Sequence, residues 1–232
     1  MSDNYAIIVA AGSGKRLPGA VAKQFRPLAE KPLLAWTLEA FDKATTVDKV
    51  ILVVSEGDTT YAREAVVERF GIEKVSDIVA GGSTRFDSVI LGLRAIPNTA
   101  DLVFIHDGVR PLITPELIDK VGRIADTSQA AIPAVQQAET LKRVEGEFII
   151  GTLDRERIWV AQTPQVFRYD VIISAYLQAM EQEREFSDDA AVCEAYGISV
   201  KIVEGHSSNL KVTTPKDLEL ARVLLAGENP QE

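Results

Sequence analysis

The sequence holds a single cysteine, Cys193, which excludes an intramolecular disulfide and any cysteine-based metal cluster. It falls in a helix-like stretch, Ala190–Tyr196, where a packed, inert thiol is expected rather than a nucleophile. Long apolar runs are missing as well. The first apolar segment, Tyr5–Ala11, is only strand-length and follows a polar Met1–Asn4, whereas a membrane span needs about 20 apolar residues. Neither a signal peptide nor a membrane partner is expected, and the reading is cytoplasmic. A basic excess is lacking too: 25 Lys and Arg face 34 Asp and Glu, for a formal charge of -9. A general nucleic-acid binder needs a basic face to displace counterions, so no nucleic-acid partner is expected.

What is present is an ordinary globular balance, 46% hydrophobic and 25% charged over 232 residues. That length suits a single domain, residues 1–232, with a small appendage. Short β-branched runs alternate with longer periodic segments. Strands are expected at Tyr5–Ala10, Lys49–Val54, Ile78–Ala80, Leu102–His106, Ala130–Val135 and Ser199–Val203. Helices are expected at Leu33–Ala44, Thr59–Phe70, Ser88–Ala95, Pro115–Ala125, Asp170–Glu183 and Pro215–Leu225, with a loose tail from Ala226. Several strands are apolar throughout, as in a sheet covered by helices on both faces. The alternation predicts an α/β fold, a doubly wound, mostly parallel sheet with right-handed crossovers. Ligands of such sheets bind beyond the carboxyl ends of the strands.

One stretch, about 136–159, breaks the rhythm. Alternation in Glu139–Val144 and Phe148–Leu153 around Glu145-Gly146-Glu147 predicts a β-hairpin. A lone hairpin is marginal in water, so this arm is expected to protrude and pack on something else.

The first strand runs into Ala10-Ala11-Gly12-Ser13-Gly14-Lys15-Arg16. Its glycines let the backbone approach a ligand closely, and successive N–H groups can cradle phosphate oxygens. Spacing rules out two familiar loops. A P-loop needs Gly where Val9 stands and Ser or Thr where Arg16 stands; a dinucleotide fingerprint needs Gly where Leu17 stands. A plain tight turn would explain the glycines but not the cations that follow. Lys15, Arg16, Lys23 and Arg26 fall within twelve residues of an acidic protein, which favours an anionic substrate.

Further motifs follow in order: Lys23-Gln24-Phe25, Gly81-Gly82-Ser83-Thr84-Arg85-Phe86-Asp87-Ser88-Val89, His106-Asp107-Gly108-Val109-Arg110-Pro111, Gln162-Thr163-Pro164-Gln165 and Asn209-Leu210-Lys211-Val212-Thr213. Together with the glycine-rich loop they resemble the 2-C-methyl-D-erythritol 4-phosphate cytidylyltransferases of isoprenoid precursor synthesis, over Tyr5 to Leu225. The resemblance implies a Rossmann-like nucleotidyltransferase, homodimeric, that takes CTP with Mg²⁺ and a polyol phosphate. It implies that Ala10, Ala11, Gly12, Ser13, Gly14 and Lys15 wrap the triphosphate, and that Gly82, Ser83 and Ser88 hold the cytosine and ribose. Arg16, Lys23 and Lys211 become the catalytic cations. Asp107 becomes a Mg²⁺ ligand, although an Asp after a strand is often only a cap. Arg110 would contact substrate phosphate or fix its loop, and Arg85 would support from behind or simply start a helix. Thr140, Arg155 and Thr163 become acceptor contacts, the first two carried by the arm into the partner subunit's site.

Departures from the family pattern fall at Gly108-Val109, where two alanines are common, and at Glu139, where an Asp often precedes the threonine. The nearest rival is a ribitol 5-phosphate cytidylyltransferase, which shares the fold and most of these motifs. A dinucleotide-dependent oxidoreductase lacks its third glycine here. A noncatalytic nucleotide-binding relative would not be expected to keep Arg16, Lys23, Asp107 and Lys211 together.

Overall fold

The computed structural model describes residues 3–12, 21–184 and 186–228. Strand β1 (Tyr5–Ala10) is followed by a single turn at Lys23–Phe25 and a two-residue ribbon, β2 (Pro27–Leu28) and β3 (Lys31–Pro32). Then come α1 (Leu33–Lys43), β4 (Lys49–Val54) and α2 (Thr59–Ala62), which continues in wider helical turns over Arg63–Glu68. The chain goes on through β5 (Val75–Ala80), α3 (Arg85–Ala95), β6 (Leu102–Asp107), α4 (Pro115–Ser128) and β7 (Ala130–Gln136). After the hairpin β8 (Lys142–Glu145) and β9 (Phe148–Thr152), it forms β10 (Trp159–Ala161), β11 (Gln165–Arg168) and α5 (Tyr169–Glu181). The last elements are α6 (Asp189–Ala195), β12 (Lys201–Glu204) and α7 (Pro215–Glu228). Among the described residues, no helix is long and apolar enough to cross a membrane.

The main sheet has eight strands and is mostly parallel. β1 sits between β4 and β6, parallel to both, and β5 lies outside β4. On the other side β11 runs antiparallel to both β6 and β7, β10 continues antiparallel along the far end of β7, and β12 pairs parallel to β7. The chain therefore leaves β1 outward towards β5 and returns to β6 on the opposite side. The crevice between β1 and β6 is a topological switch point, the place where doubly wound sheets bind ligands.

Alternation along β1 divides the core. Ala6 and Ile8 face one layer with Leu38 and Phe41 of α1 and Ile118 and Val121 of α4. Tyr5 and Ile7 face the other, with Leu93 of α3 and Ile172 and Tyr176 of α5. Each fully buried leucine or isoleucine contributes on the order of 1.5–3 kcal/mol. Close approach sets two glycines: a Cβ on Gly92 would lie 2.7 Å from Ile7, and one on Gly122 would lie 2.7 Å from Phe104. These two positions let α3 and α4 lie flat against the sheet.

Several expected boundaries move. β5 begins at Val75 rather than Ile78, and β12 spans Lys201–Glu204 rather than Ser199–Val203. α3 begins at Arg85, not Ser88, because Thr84 forms a reciprocal cap with Asp87. The antiparallel pieces β10 and β11 were not among the expected strands; they are short and bracket the cis Thr163–Pro164 bond. α7 extends through the tail expected to be loose from Ala226, as far as Glu228. The hairpin is present, narrower than expected, with Gly146 at positive φ in its turn. Among the described residues β8 and β9 pair only with each other, and Phe148 is 78% exposed, with Val144, Ile149 and Ile150 also exposed.

Candidate active site

At the switch point lies a cavity of about 410 Å³. Ala11 and Gly12 reach it from the end of β1, Gly82–Arg85 from the segment between β5 and α3, and Asp107 and Val109 from the end of β6. Lys23 and Lys211 complete its cationic side. Lys23 also stands by the glycine loop, since a Cβ on Gly12 would lie 3.7 Å from its Nζ.

The site is organised around Asp107. Lys211 Nζ lies 2.9 Å from its Oδ2, Arg110 Nε 3.6 Å from the same oxygen, and Arg85 Nε donates to Oδ1 at 3.1 Å. Burial by itself would raise the Asp107 pKa, but Arg85, Lys211 and Arg110 outweigh it and hold the carboxyl well below the ordinary range. Arg85 is shared: its two terminal nitrogens donate to both oxygens of Asp189, at 2.9 and 2.7 Å. Burial disfavours the Arg85 charge, yet Asp189 and Asp107 raise its pKa well above the usual guanidinium value. Burial pulls Arg110 down. Its guanidinium still donates to the Asn209 carbonyl at 2.7 Å, which ties the Lys211 segment to the end of β6.

Beneath Asp107 runs a second network. Thr163 Oγ1 accepts from the Asp107 backbone N–H at 3.2 Å and pairs with His106 Nδ1 at 2.9 Å. Burial pushes His106 down to about 3, so the imidazole is neutral, and its Nε2 has no partner among the described residues. Asn209 Nδ2 donates to the Thr163 carbonyl and to Gln162 Oε1, while Gln162 Nε2 donates to the His206 carbonyl. The Gln162–Gln165 motif is thus a hub that fixes the 205–211 segment. Lys211 lies in no strand; it follows the irregular stretch after β12.

The Gly81–Ser88 segment is braced internally. Ser88 Oγ accepts from Gly82 N–H and donates to the Thr84 carbonyl, and Ser83 Oγ donates to Asp87. Both hydroxyls line the cavity but already shape this loop. A Cβ on Gly81 would collide with Ala11 and Ser88, so only glycine lets the two loops meet.

Of the residues singled out in the sequence, the structure gathers Ala11, Gly12, Lys23, Gly82, Ser83, Ser88, Asp107 and Lys211 around one cavity. Ala10 is buried and does not line the cavity, and Arg110 and Thr163 reach it through Asn209 and the Asp107 backbone. Ser13, Gly14, Lys15 and Arg16 lie outside the described residues. Thr140 and Arg155 are exposed and do not line this cavity, and Arg155 donates to the Ala138 carbonyl. Asp189 and Tyr176 escaped sequence reasoning; the only local signal was the Asp188-Asp189 pair before an apolar run. Cys193 is buried and its pKa is pushed up to about 12, an inert thiol as expected.

Among the described residues, no group of three or more His, Cys, Asp or Glu converges on a metal position. Asp107 is the carboxylate that lines the cavity. Its Oδ1 carries one hydrogen-bond partner, Arg85, which leaves it acceptor capacity. One carboxylate plus substrate phosphates is a donor set that suits Mg²⁺.

A doubly wound sheet with Gly12 and a cation cluster at its switch point suits a phosphorylated ligand such as a nucleotide. Residues 5–227 match the family model of IspD, 2-C-methyl-D-erythritol 4-phosphate cytidylyltransferase. A protein of that name from Geobacter metallireducens is 42% identical over 229 residues, covering 97% of this chain and 99% of its own length. A bifunctional enzyme IspD/IspF from Desulforudis audaxviator is 45% identical over 98% of this chain, which spans only 58% of that longer relative. The solved structure of 4-diphosphocytidyl-2C-methyl-D-erythritol synthase from Anaerococcus prevotii superposes with a TM-score of 0.85 at 30% identity, covering 97% of this chain and 96% of that one. The chain belongs to the 2-C-methyl-D-erythritol 4-phosphate cytidylyltransferase family.

Proposed function

We propose that this chain transfers a cytidylyl group from Mg²⁺-bound CTP to 2-C-methyl-D-erythritol 4-phosphate and releases pyrophosphate, within isoprenoid precursor synthesis. The observation that carries the reading is the convergence of Gly12, Lys23, Lys211 and Asp107 on one cavity at the switch point. Family membership favours methylerythritol phosphate over ribitol 5-phosphate as the acceptor.

An oxygen of the acceptor phosphate attacks the α-phosphorus of CTP, and the bond from that phosphorus to the bridging oxygen of pyrophosphate breaks. The acceptor is already anionic near neutral pH, so no protein base is needed. Positioning and charge stabilisation are what the protein offers to such a transfer. Gly12 would offer its backbone to the triphosphate, Lys23 would neutralise charge on the α-phosphate together with Arg16, which lies outside the described residues, and Lys211 would meet the attacking phosphate beside Asp107. Gly82, Ser83 and Ser88 hold cytosine and ribose in the braced loop. Thr163, which fixes the Asp107 backbone, supports the acceptor from below. Mg²⁺ would be held by Asp107 and the triphosphate, where it screens the negative charge that two anions bring together. Thr140 and Arg155, remote from this cavity, would serve the site of a second subunit in a homodimer, with the apolar arm covered by the partner.

The test is pyrophosphate release with CTP and each of methylerythritol phosphate and ribitol 5-phosphate in parallel, with and without chelator. Rapid release with the first acceptor, abolished by chelator and restored by Mg²⁺, is expected. Faster release with ribitol 5-phosphate would replace the acceptor, and full activity in chelator would remove the metal.

A further inference from the structure

Arg85 is the first residue of α3, yet its guanidinium joins the ends of two other elements. Nε meets Asp107 at the end of β6, and both terminal nitrogens grip Asp189 at the start of α6. Asp189 is 0% exposed. Its Oδ1 also accepts from the Tyr176 hydroxyl at 2.6 Å, and the Tyr176 ring is stacked on Phe86, the neighbour of Arg85. The start of α6 is itself clamped. Asp188 accepts from Ala191 N–H and from Gln165 Nε2, and Gln165 Oε1 accepts from Ala190 N–H. Gln165 therefore ties α6 to the same motif whose Thr163 holds Asp107.

A buried ion pair of this kind is weak evidence for stability, because desolvation offsets much of its attraction. What it does supply is direction. A bidentate carboxylate fixes both the plane and the rotation of a guanidinium. With its far edge pinned on Asp189, Arg85 can offer only its Nε edge to Asp107. Arg85 also lines the substrate cavity. Unpinned, it would lose its fixed orientation and would leave Asp107 to Lys211 and Arg110 alone.

We propose that Asp189, locked by Tyr176, is a positioning residue for the transfer: through Arg85 it holds Asp107, and thus Lys211, in the orientation the reaction needs. The proposal rests on the reading that this cavity carries out cytidylyl transfer. Asp189 does not line the cavity and acts through Arg85.

The test is steady-state kinetics of Asp189→Asn, Tyr176→Phe, Arg85→Lys and the double variant Asp189→Asn/Arg85→Lys, beside wild-type enzyme that forms product. Asp189→Asn should lower kcat roughly 30- to 100-fold with the KM for CTP changed less than about threefold. Tyr176→Phe keeps the stacked ring and should lower kcat roughly three- to tenfold. Since Asp189 works through Arg85, the double variant should be within about threefold of the worse single variant. Losses that multiply in the double variant, or a raised KM with unchanged kcat, would overturn the proposal. If Asp189→Asn does not fold, Tyr176→Phe carries the test, and an unchanged kcat there overturns it. Wild-type enzyme that makes no product would instead sink the reading of the site, a separate outcome.

Discussion

Lys211 and Asp107 meet at 2.9 Å although one follows the last strand of the sheet and the other ends a central one. The segment that carries Lys211 is held to β6 by Arg110 on the Asn209 carbonyl and by Asn209 on Gln162 and Thr163. The lysine is therefore placed by its surroundings rather than by a regular element. Asp107 in turn is mostly buried, its side chain 8% exposed, and faces three cations.

Replacing Asp107 with Asn should cost stability as well as activity, because three cations would lose their shared anion. Lys211 is over a third exposed and can turn to solvent, so the loss belongs at the lower end for a broken buried pair, about 3 kcal/mol. A urea-denaturation midpoint within experimental error of wild type would contradict this. The variant should also demand much more Mg²⁺ for half-maximal activity.

Lys23→Ala should lower turnover more than CTP affinity. Charge stabilisation felt mainly in the transition state is worth about 2.7–4 kcal/mol, or on the order of 10²–10³ in kcat. The same is expected of Arg16→Ala. Near-normal kcat in both variants would remove these two cations from the chemistry.

His106 gives a pH dependence with a definite sign. Its pKa is about 3 in the folded protein and about 6.5 when unfolded. The unfolded state therefore binds the proton first, so stability is full above about pH 6.5 and falls as pH drops towards 3. The slope from this residue is about 1.4 kcal/mol per pH unit within that window. His106→Asn, which can keep an acceptor near Thr163, should flatten the curve by that amount between about pH 6 and 4. An unchanged slope in urea titrations would show that His106 is protonated in the folded state.

Much of this arrangement was legible in the residues. β1 and β4 keep their expected bounds, Gly12 and the Gly81–Ser88 motif follow strands, and Asp107 is the last residue of one, all at carboxyl ends as the sheet rule requires. The antiparallel strand was not legible. Gln165–Arg168 is a four-residue run flanked by Pro164, too short for period-2 alternation to register. Asp189 stayed hidden for another reason. Its role depends on Arg85 and Tyr176 arriving from distant elements, and nothing in its immediate neighbourhood signals that meeting.

The arm can be tested by complementation. If Thr140 and Arg155 serve the neighbouring subunit, Arg155→Ala and Lys23→Ala subunits should rescue each other in mixed dimers. One site would be intact and the other doubly damaged, so activity should approach about half the wild-type value if the sites are independent. Differently tagged subunits would establish exchange. Mixed dimers with no recovered activity would confine the arm to its own chain.

The most direct measurement follows the α-phosphorus. Enzyme, Mg²⁺, methylerythritol phosphate and CTP radiolabelled at the α-phosphorus should give an organic product that carries the label together with a cytidine, while unlabelled pyrophosphate is released. ATP, GTP and UTP labelled in the same position should transfer far less, since a site built around buried hydrogen bonds rejects a base that leaves them unpaired. Label that stays on a nucleotide diphosphate while the terminal phosphate moves, or equal transfer from all four nucleotides, would contradict the account.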